Sequence, residues 1–391
     1  MQKKLIALAV AAAISAPAFA DDGIKASVYG VLDAGYGNES KTVTPVGGTG
    51  TKYDQSAFQF SAITSSRFGV LATEDIGDGT KATLKVETGI GSNSMAGFSQ
   101  TGTKAAGTNG TTIDTTSLGN RELNLAVGFA EGTTVKAGFG STLIRDISLG
   151  YAADPGGNLI GNILNNDAAL GSNRATSLDV MQQSGPVKVV VSVLKDFTST
   201  TTSTSTSNTD KSNGYLLGAQ FNQDLLSISV ALQSLKSTSP MVVAVPSNTA
   251  TTPITLGANA VPATDTIQAI DVLGASYDLG AAKLIGELAT ISVKDNLAGV
   301  TTSKRSYESI GAQVPLGQVL AFVQLSNGKV DSATVTASDS QKITGYTVGA
   351  KYNLSKPTYA YLSAGATNLK AGTAASAVKV SQVVLGLVHT F

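Results

Sequence analysis

The chain has 391 residues, with 27 Lys and Arg against 27 Asp and Glu and a formal net charge of +0, so it carries no electrostatic footprint for nucleic acid. It holds no Cys and a single His, which excludes a disulfide scaffold, a thiolate metal site, a Cys nucleophile and a His/Cys metal centre. Charged residues make up 14% of the chain and Gly reaches 42; a soluble domain carries roughly 25% charge, and the lower value fits strands that are apolar on one face and small-polar on the other.

The N-terminus has Lys3 and Lys4, an apolar run from Leu5 to Ile14, and small residues at Ala18-Phe19-Ala20. These are the three parts of a secretory signal peptide, and the run is too short to span a bilayer. Residues 1–20 are therefore read as a signal peptide and residues 21–391 as one exported domain. Loss of Lys3 and Lys4 leaves 25 bases against 27 acids, a formal charge of −2.

Alternation and turn residues then predict sixteen strands, at 24–37, 56–73, 79–91, 120–130, 133–141, 174–184, 187–197, 212–223, 225–236, 266–278, 281–294, 304–315, 317–329, 340–354, 357–370 and 379–391. Seven connections are short, among them Asp75-Ile-Gly-Asp-Gly79, Ala130-Glu-Gly132, Ser184-Gly-Pro186, Asp278-Leu-Gly280 and Leu354-Ser-Lys-Pro357, where Gly, Pro and Asp supply the turn geometry. Eight are longer: 38–55, 92–119, 142–173, 198–211, 237–265, 295–303, 330–339 and 371–378. Short and long alternate strictly. In an antiparallel barrel that places every short turn at one end and every long loop at the other, the periplasmic and extracellular asymmetry of an outer-membrane barrel. A β-sandwich gives no reason to sort loop lengths this way. In hydrocarbon each unpaired backbone amide costs several kcal/mol, so the sheet must close on itself. The fold expected is all-β, a 16-stranded antiparallel transmembrane β-barrel.

Within it, Leu226, Ile228, Val230 and Leu232 read as lipid-facing, and Ser227, Ser229, Ala231 and Gln233 as their lumen-facing partners. Sixteen strands enclose an aqueous channel rather than a filled core, and the inner face is expected to be wet and small. The third long connection, 142–173, differs from the others. It contains Leu143, Ile144, Ile147, Leu149, Tyr151, Leu159, Ile160, Ile163, Leu164 and Leu170. Such residues fit a loop folded against a wall, so this segment is read as an inward-folded constriction loop with Arg145, Asp146, Asp154 and Asp167 as its charges.

Alternation places Arg67, Lys85, Glu87, Lys136, Asp33 and Lys351 on the lumen face. Arg121 shares parity with the lipid-facing Leu123, Leu125 and Val127 but lies at a strand end. Their expected role is a field across a pore, basic wall against acidic loop. His389, on the parity of Phe391, reads as a rim residue on the lipid face. No catalytic residues, cofactor or metal are expected, and no enzyme activity. Glycine-rich strings such as Gly47-Gly-Thr-Gly50 sit in a loop with no following helix and do not make a phosphate cradle.

Several segments resemble the general porins of β-proteobacteria: Ser27-Val-Tyr-Gly-Val-Leu-Asp-Ala-Gly35, Ser66-Arg-Phe-Gly-Val-Leu-Ala-Thr-Glu-Asp75 with Gly79-Thr-Lys-Ala-Thr-Leu-Lys-Val-Glu-Thr-Gly89, and Asn120-Arg-Glu-Leu-Asn-Leu-Ala-Val-Gly128. Gly345-Tyr-Thr-Val-Gly-Ala-Lys-Tyr-Asn-Leu-Ser-Lys356 and Val384-Leu-Gly-Leu-Val-His-Thr-Phe391 resemble the closing strands of that family. The resemblance implies an outer-membrane pore for passive diffusion of small hydrophilic solutes and ions, and a homotrimer whose interface uses the first five strands and the last. Ala34, Ala126, Gly128, Ala137 and Gly386 are the small residues expected there, with 92–119 as a latch. It also implies contact with outer-membrane lipid and lipopolysaccharide, and Phe391 as the signal read by the barrel insertion machinery. A substrate-selective channel and a structural or adhesin barrel are the alternatives. The chain departs from the family at Leu71, Phe139, Val388 and Thr390, where bases are usual. Those losses and the −2 charge predict weak ion selectivity, near neutral or slightly cation-favouring.

Overall fold

The computed structural model describes residues 24–90, 119–195, 200–203, 206–209, 212–237, 265–296, 298–334, 337–370 and 377–391. Residues 1–20, read as a signal peptide, nearly all of 92–119, read as a latch, and most of the 237–265 loop lie outside them.

Sixteen antiparallel strands close into a barrel. They are β1 (Ile24–Thr44), β2 in two pieces (Thr51–Phe60 and Arg67–Gly77), β3 (Thr80–Gly89), β4 (Glu122–Gly128), β5 (Thr133–Ser141), β6 (Arg174–Ser184), β7 (Val187–Lys195), β8 (Ser212–Gln223), β9 (Leu226–Ser237), β10 (Thr266–Asp278), β11 (Lys283–Asp295), β12 (Thr301–Leu316), β13 (Val319–Thr334), β14 (Ala337–Asn353), β15 (Thr358–Lys370) and β16 (Ala377–Thr390). Three short helices, α1 (Leu143–Gly150), α2 (Ile163–Asn166) and α3 (Ala168–Gly171), lie between β5 and β6. A small ribbon pairs Thr200–Ser203 with Thr206–Thr209 in the connection after β7.

Closure is made by β1 against β16, in register from Val31↔Thr390 to Thr44↔Ala377. Phe391 extends it: its carbonyl accepts from the Gly30 amide at 2.9 Å and its amide donates to Gly30 at 3.1 Å. The Phe391 ring lies over Gly30, where a Cβ has no room.

Several ladders run past the expected strand ends. β1 reaches Thr44, and β13 and β14 stay paired from Val319↔Tyr352 to Thr334↔Ala337. The Ser and Thr of these stretches read as loop by composition, yet β-branched Thr and Val fit a pleated ladder, and cross-strand partners carry the pairing beyond the apolar belt. β2 is broken over 61–66. Asp33 holds the break, its Oδ2 accepting from the amides of Ile63 at 2.7 Å and Thr64 at 2.9 Å, with the Tyr361 hydroxyl donating to Oδ1 at 2.7 Å. Asp33 is fully buried and organises the wall rather than charging the lumen.

The outer face is an apolar surface: Val187, Val189, Val191 and Val193 are exposed on β7, and Val383, Leu385 and Leu387 on β16. His389 is exposed on the same face and stacks on Phe391. Among the small residues expected at a trimer contact, Ala34 and Ala137 are exposed on the outer face, while Gly386 points inward beneath the Tyr361 ring. Ala126 and Gly128 share the inward parity of Glu122 and Asn124.

The inner face is not uniformly wet. From β7 to β11 it presents Val190, Leu216, Ala231, Ile270, Val272, Ile285, Ala289 and Ile291, all buried against Leu143, Ile144, Ile147, Tyr151, Ile163, Leu164 and Leu170 of the third long connection. Burial of each large side chain contributes about 1.5–3 kcal/mol. Polar ties fix the position of the segment. The Tyr151 hydroxyl bonds Ser227 and Ser229, both at 2.8 Å. The Ala153 amide donates to Gln324 and its carbonyl accepts from Gln313, both at 2.8 Å. Asp167 takes Arg305 Nη1 at 3.0 and 2.7 Å and the Tyr307 hydroxyl at 2.8 Å. Gly161 packs directly on the Tyr346 carbonyl, a contact that only a residue without Cβ permits.

Candidate functional site

Between the start of this segment and β2–β5 lies a cavity of about 460 Å³ lined by Arg67, Lys85, Glu87, Arg121, Glu122, Asn124, Lys136, Arg145 and Asp146, with Ser65, Pro155, Gly156 and Asn158 closing one side. Seven of the ten charged positions expected at a pore thus meet in one place. Arg67, Lys85, Glu87 and Lys136 come from three strands because period-two alternation points every second residue inward; Arg121 comes from the residue before β4, and Arg145 and Asp146 from α1, because β5 ends at Ser141 and turns at once into that helix.

The acids of the wall are engaged by the bases around them. Glu87 accepts from Arg121 Nε at 2.7 Å and from the Tyr29 hydroxyl at 2.9 Å, with Arg67 Nε at 3.6 Å. Glu122, which alternation alone did not single out, is buried and accepts from the Ser141 amide at 3.1 Å, the Ser141 hydroxyl at 2.9 Å and Asn124 at 2.9 Å, with Lys85 at 4.0 Å. Lys136 pairs with Asp179 at 2.9 Å. Arg121 resolves the conflict of parity: it precedes the first ladder residue of β4, so its side chain is free to bend inward to Glu87. The alternation signal fails there because it holds only within a paired strand.

Arg145 reaches Ser141 Oγ at 3.4 Å and, among the described residues, makes no ion pair within 4.0 Å. Burial, and then repulsion from Arg121, lower its guanidinium to about 10, still fully charged at neutral pH. Arg174, at the start of β6, stands within electrostatic range of both Arg145 and Arg121 and was not picked out by sequence.

Three expected charges are elsewhere. Asp167 is buried in the bond to Arg305 and caps α3 through the Ala169 amide at 3.0 Å. Asp154 is buried inside the segment, accepting from Asn162 at 3.2 Å and the Leu159 amide at 3.5 Å; burial pushes its carboxyl up to about 6. Lys351 faces inward away from the cavity, its ammonium 5.1 Å from the Tyr359 ring centre. Asp residues in a short irregular segment serve equally as turn and cap groups, and nothing in their spacing separates that use from a lumen charge. Phe139 also differs from expectation: it is paired with the outward Leu123, so no base is lost from the lumen at that position. Leu71 and Val388 do face inward.

A closed sixteen-stranded barrel with an apolar outer face and a charged cavity inside it defines a membrane-spanning channel. More particularly, the chain belongs to the Gram-negative porin family, whose sequence profile matches residues 7–372. No curated protein matches the chain at a significant level. Solved structures share its fold at low identity. An anion-selective porin from Comamonas acidovorans is 20% identical with a TM-score of 0.65, covering 94% of this chain and 100% of that one. The outer membrane channel DcaP of Acinetobacter baumannii is 14% identical with a TM-score of 0.61, covering 95% and 99%. A trimer form of OmpT, an outer membrane protein of Vibrio cholerae, is 13% identical with a TM-score of 0.60, covering 95% and 100%. The protein is an outer-membrane channel for passive diffusion.

Proposed function

We propose that the cavity between β2–β5 and α1 is the narrowest part of the channel, that Arg67, Lys85, Glu87, Arg121, Lys136, Arg145 and Asp146 set its field, and that it favours anions. The observation that carries this is the balance of charge on its lining. Five bases (Arg67, Lys85, Arg121, Lys136 and Arg145) face three acids (Glu87, Glu122 and Asp146). The third loop contributes a base as well as an acid, and its other two acids are buried away from the cavity. Only charges at a constriction decide ion preference, since bulk salt screens the rest over roughly 8 Å. The expectation from net charge, near neutral or slightly cation-favouring, counted Asp154 and Asp167 as lumen charges and the base usual at the Phe139 position as lost. The fold relative from Comamonas acidovorans, an anion-selective porin, accords with this reading. Zero-current potentials across a tenfold KCl gradient test it: a chloride-favouring sign is expected, and a cation-favouring one refutes it.

The same reading includes a homotrimer, in line with the trimer form known among the fold's relatives, with the β1–β5 and β16 side of the barrel turned to its neighbours. Contact with outer-membrane lipid and lipopolysaccharide and with the insertion machinery belongs to the same picture. Native mass in a mild detergent, expected at three chains, tests the assembly.

A further inference from the structure

We propose that Tyr29, with Leu71 beside it, forms a stacking subsite at the edge of the cavity, where the pore holds aromatic carboxylates in preference to aliphatic ones of the same charge and size. The proposal rests on the reading of that cavity as the narrowest, anion-favouring part of the channel, and adds the class of solute.

Tyr29 shares the inward parity of Val31 and Asp33 on β1. It is the register partner of Gly69 on β2, and Gly69 is the partner of Glu87 on β3. The tyrosine therefore stands in the same row as Glu87 and its own partner Glu122, the acids of the cavity wall. Gly69 sets how the ring lies. A Cβ built there would meet Cζ, Oη and Cε1 of Tyr29 at 2.5, 2.6 and 2.8 Å. Distances so similar to three neighbouring atoms place the face of the ring, not its edge, over the glycine. The ring thus lies flat on the wall, with one face on β2 and the other toward the lumen. Its hydroxyl donates to Glu87 at 2.9 Å and pins it there. On the same inner surface Tyr151, Tyr307, Phe322 and Tyr361 are buried, whereas Tyr29 is half-exposed.

On β2 the two diagonal neighbours of Tyr29 are Arg67 and Leu71. Such neighbours stand about 7–8 Å apart, within reach of aromatic and long side chains. Leu71 extends the apolar surface toward the short turns, and its own partner on β3 is Lys85. A patch of one ring and one aliphatic group is therefore bordered by two cations. Both cations line the cavity, and their side chains keep 27% (Arg67) and 35% (Lys85) exposure, enough to meet a solute. A flat ring bearing a carboxylate matches this arrangement, the ring on Tyr29 and the carboxylate on Arg67 or Lys85. Glu87 is the acid nearest the platform, and its charge is already held by Arg121 Nε at 2.7 Å and Arg67 Nε at 3.6 Å. An aliphatic acid of equal size gains the charge and the Leu71 contact but not the offset stack on the tyrosine. An inorganic anion gains the charge alone.

The test uses the full-length barrel in planar bilayers. The concentrations of benzoate, cyclohexanecarboxylate and acetate that halve the KCl current are compared at neutral pH, where all three are ionised. Benzoate is expected to block at a concentration about two- to tenfold below cyclohexanecarboxylate, the size of one stacked aromatic pair, and acetate to block least. Tyr29→Phe keeps the ring and should keep that ratio. Tyr29→Leu should bring it to one, with gel mobility of unheated samples reporting a folded barrel. Equal block by benzoate and cyclohexanecarboxylate in the unmodified barrel overturns the proposal, as does no block by benzoate or a ratio that survives Tyr29→Leu. The zero-current potential in a KCl gradient separates the two readings. A chloride-favouring sign with a ratio of one removes the stacking subsite alone, and a cation-favouring sign removes the anion reading of the cavity.

Discussion

The bond between Asp167 and Arg305 is the sharpest test of how the third loop is held. The carboxylate is 1% exposed and the guanidinium 7%. Arg305 Nη1 meets both Asp167 oxygens, and Tyr307 donates to one of them. Asp167→Asn keeps the size and the hydrogen-bonding oxygen but leaves the Arg305 charge buried without a counter-ion, and Arg does not escape by losing its proton. Breaking a buried pair from one side costs about 3–5 kcal/mol. The rest of the barrel does not depend on this bond, so the loss falls on local opening of the loop, whose open population should rise by about two to four orders of magnitude. The Leu170 and Gly171 amides both donate to the Asp167 carbonyl at 2.9 Å, a bond the substitution preserves. Their hydrogen exchange therefore reports opening and not the loss of a partner. The expected result is a collapse of protection at Leu170 and Gly171, with protection along β9 and β10 unchanged and open-channel current noise increased. Asp167→Leu with Arg305→Met, which replaces the pair by apolar groups, should recover most of the protection. Unchanged exchange in Asp167→Asn, or a double variant as labile as the single one, would show that apolar packing alone holds the loop and that the ion pair is incidental.

Arg145→Glu changes the cavity charge by two and should abolish the chloride preference in a KCl gradient with little change in conductance; a persistent strong chloride preference would move the deciding charges to Arg67 and Arg121. Asp154 has a carboxyl raised to about 6 by burial, so the folded loop binds a proton more tightly than the unfolded chain, whose Asp titrates near 3.9. Loop stability should accordingly rise as pH falls from 7 through 6 toward 4, by on the order of 2 kcal/mol, and this rise should vanish in Asp154→Asn when loop exchange is followed at pH 5 and 7.5. Deleting Phe391 removes the two backbone bonds to Gly30 and the ring that covers it; the folded fraction in the membrane should fall by gel mobility of unheated samples, while the pores that do assemble keep wild-type conductance.

The sequence by itself determined the strand count, the tight turns at one end of the barrel, and the face of most wall residues. Each of these is a local signal: a turn needs Gly, Asp or Pro at a given dihedral angle, and a strand between lipid and water must alternate. The same rule drew Arg67, Lys85, Glu87 and Lys136 onto the inner face, and ten apolar residues marked 142–173 as a packed loop. Tertiary structure decided what no local signal encodes. Asp33, Asp154 and Asp167 look like lumen charges by parity or by loop position, but each carboxylate is spent on backbone amides or a buried partner that arrives from distant strands. Arg121 lies where pairing ends, so its direction depends on Glu87, 34 residues away. The break in β2 is held by Asp33, and the apolar patch inside β7–β11 is covered by the loop that packs against it.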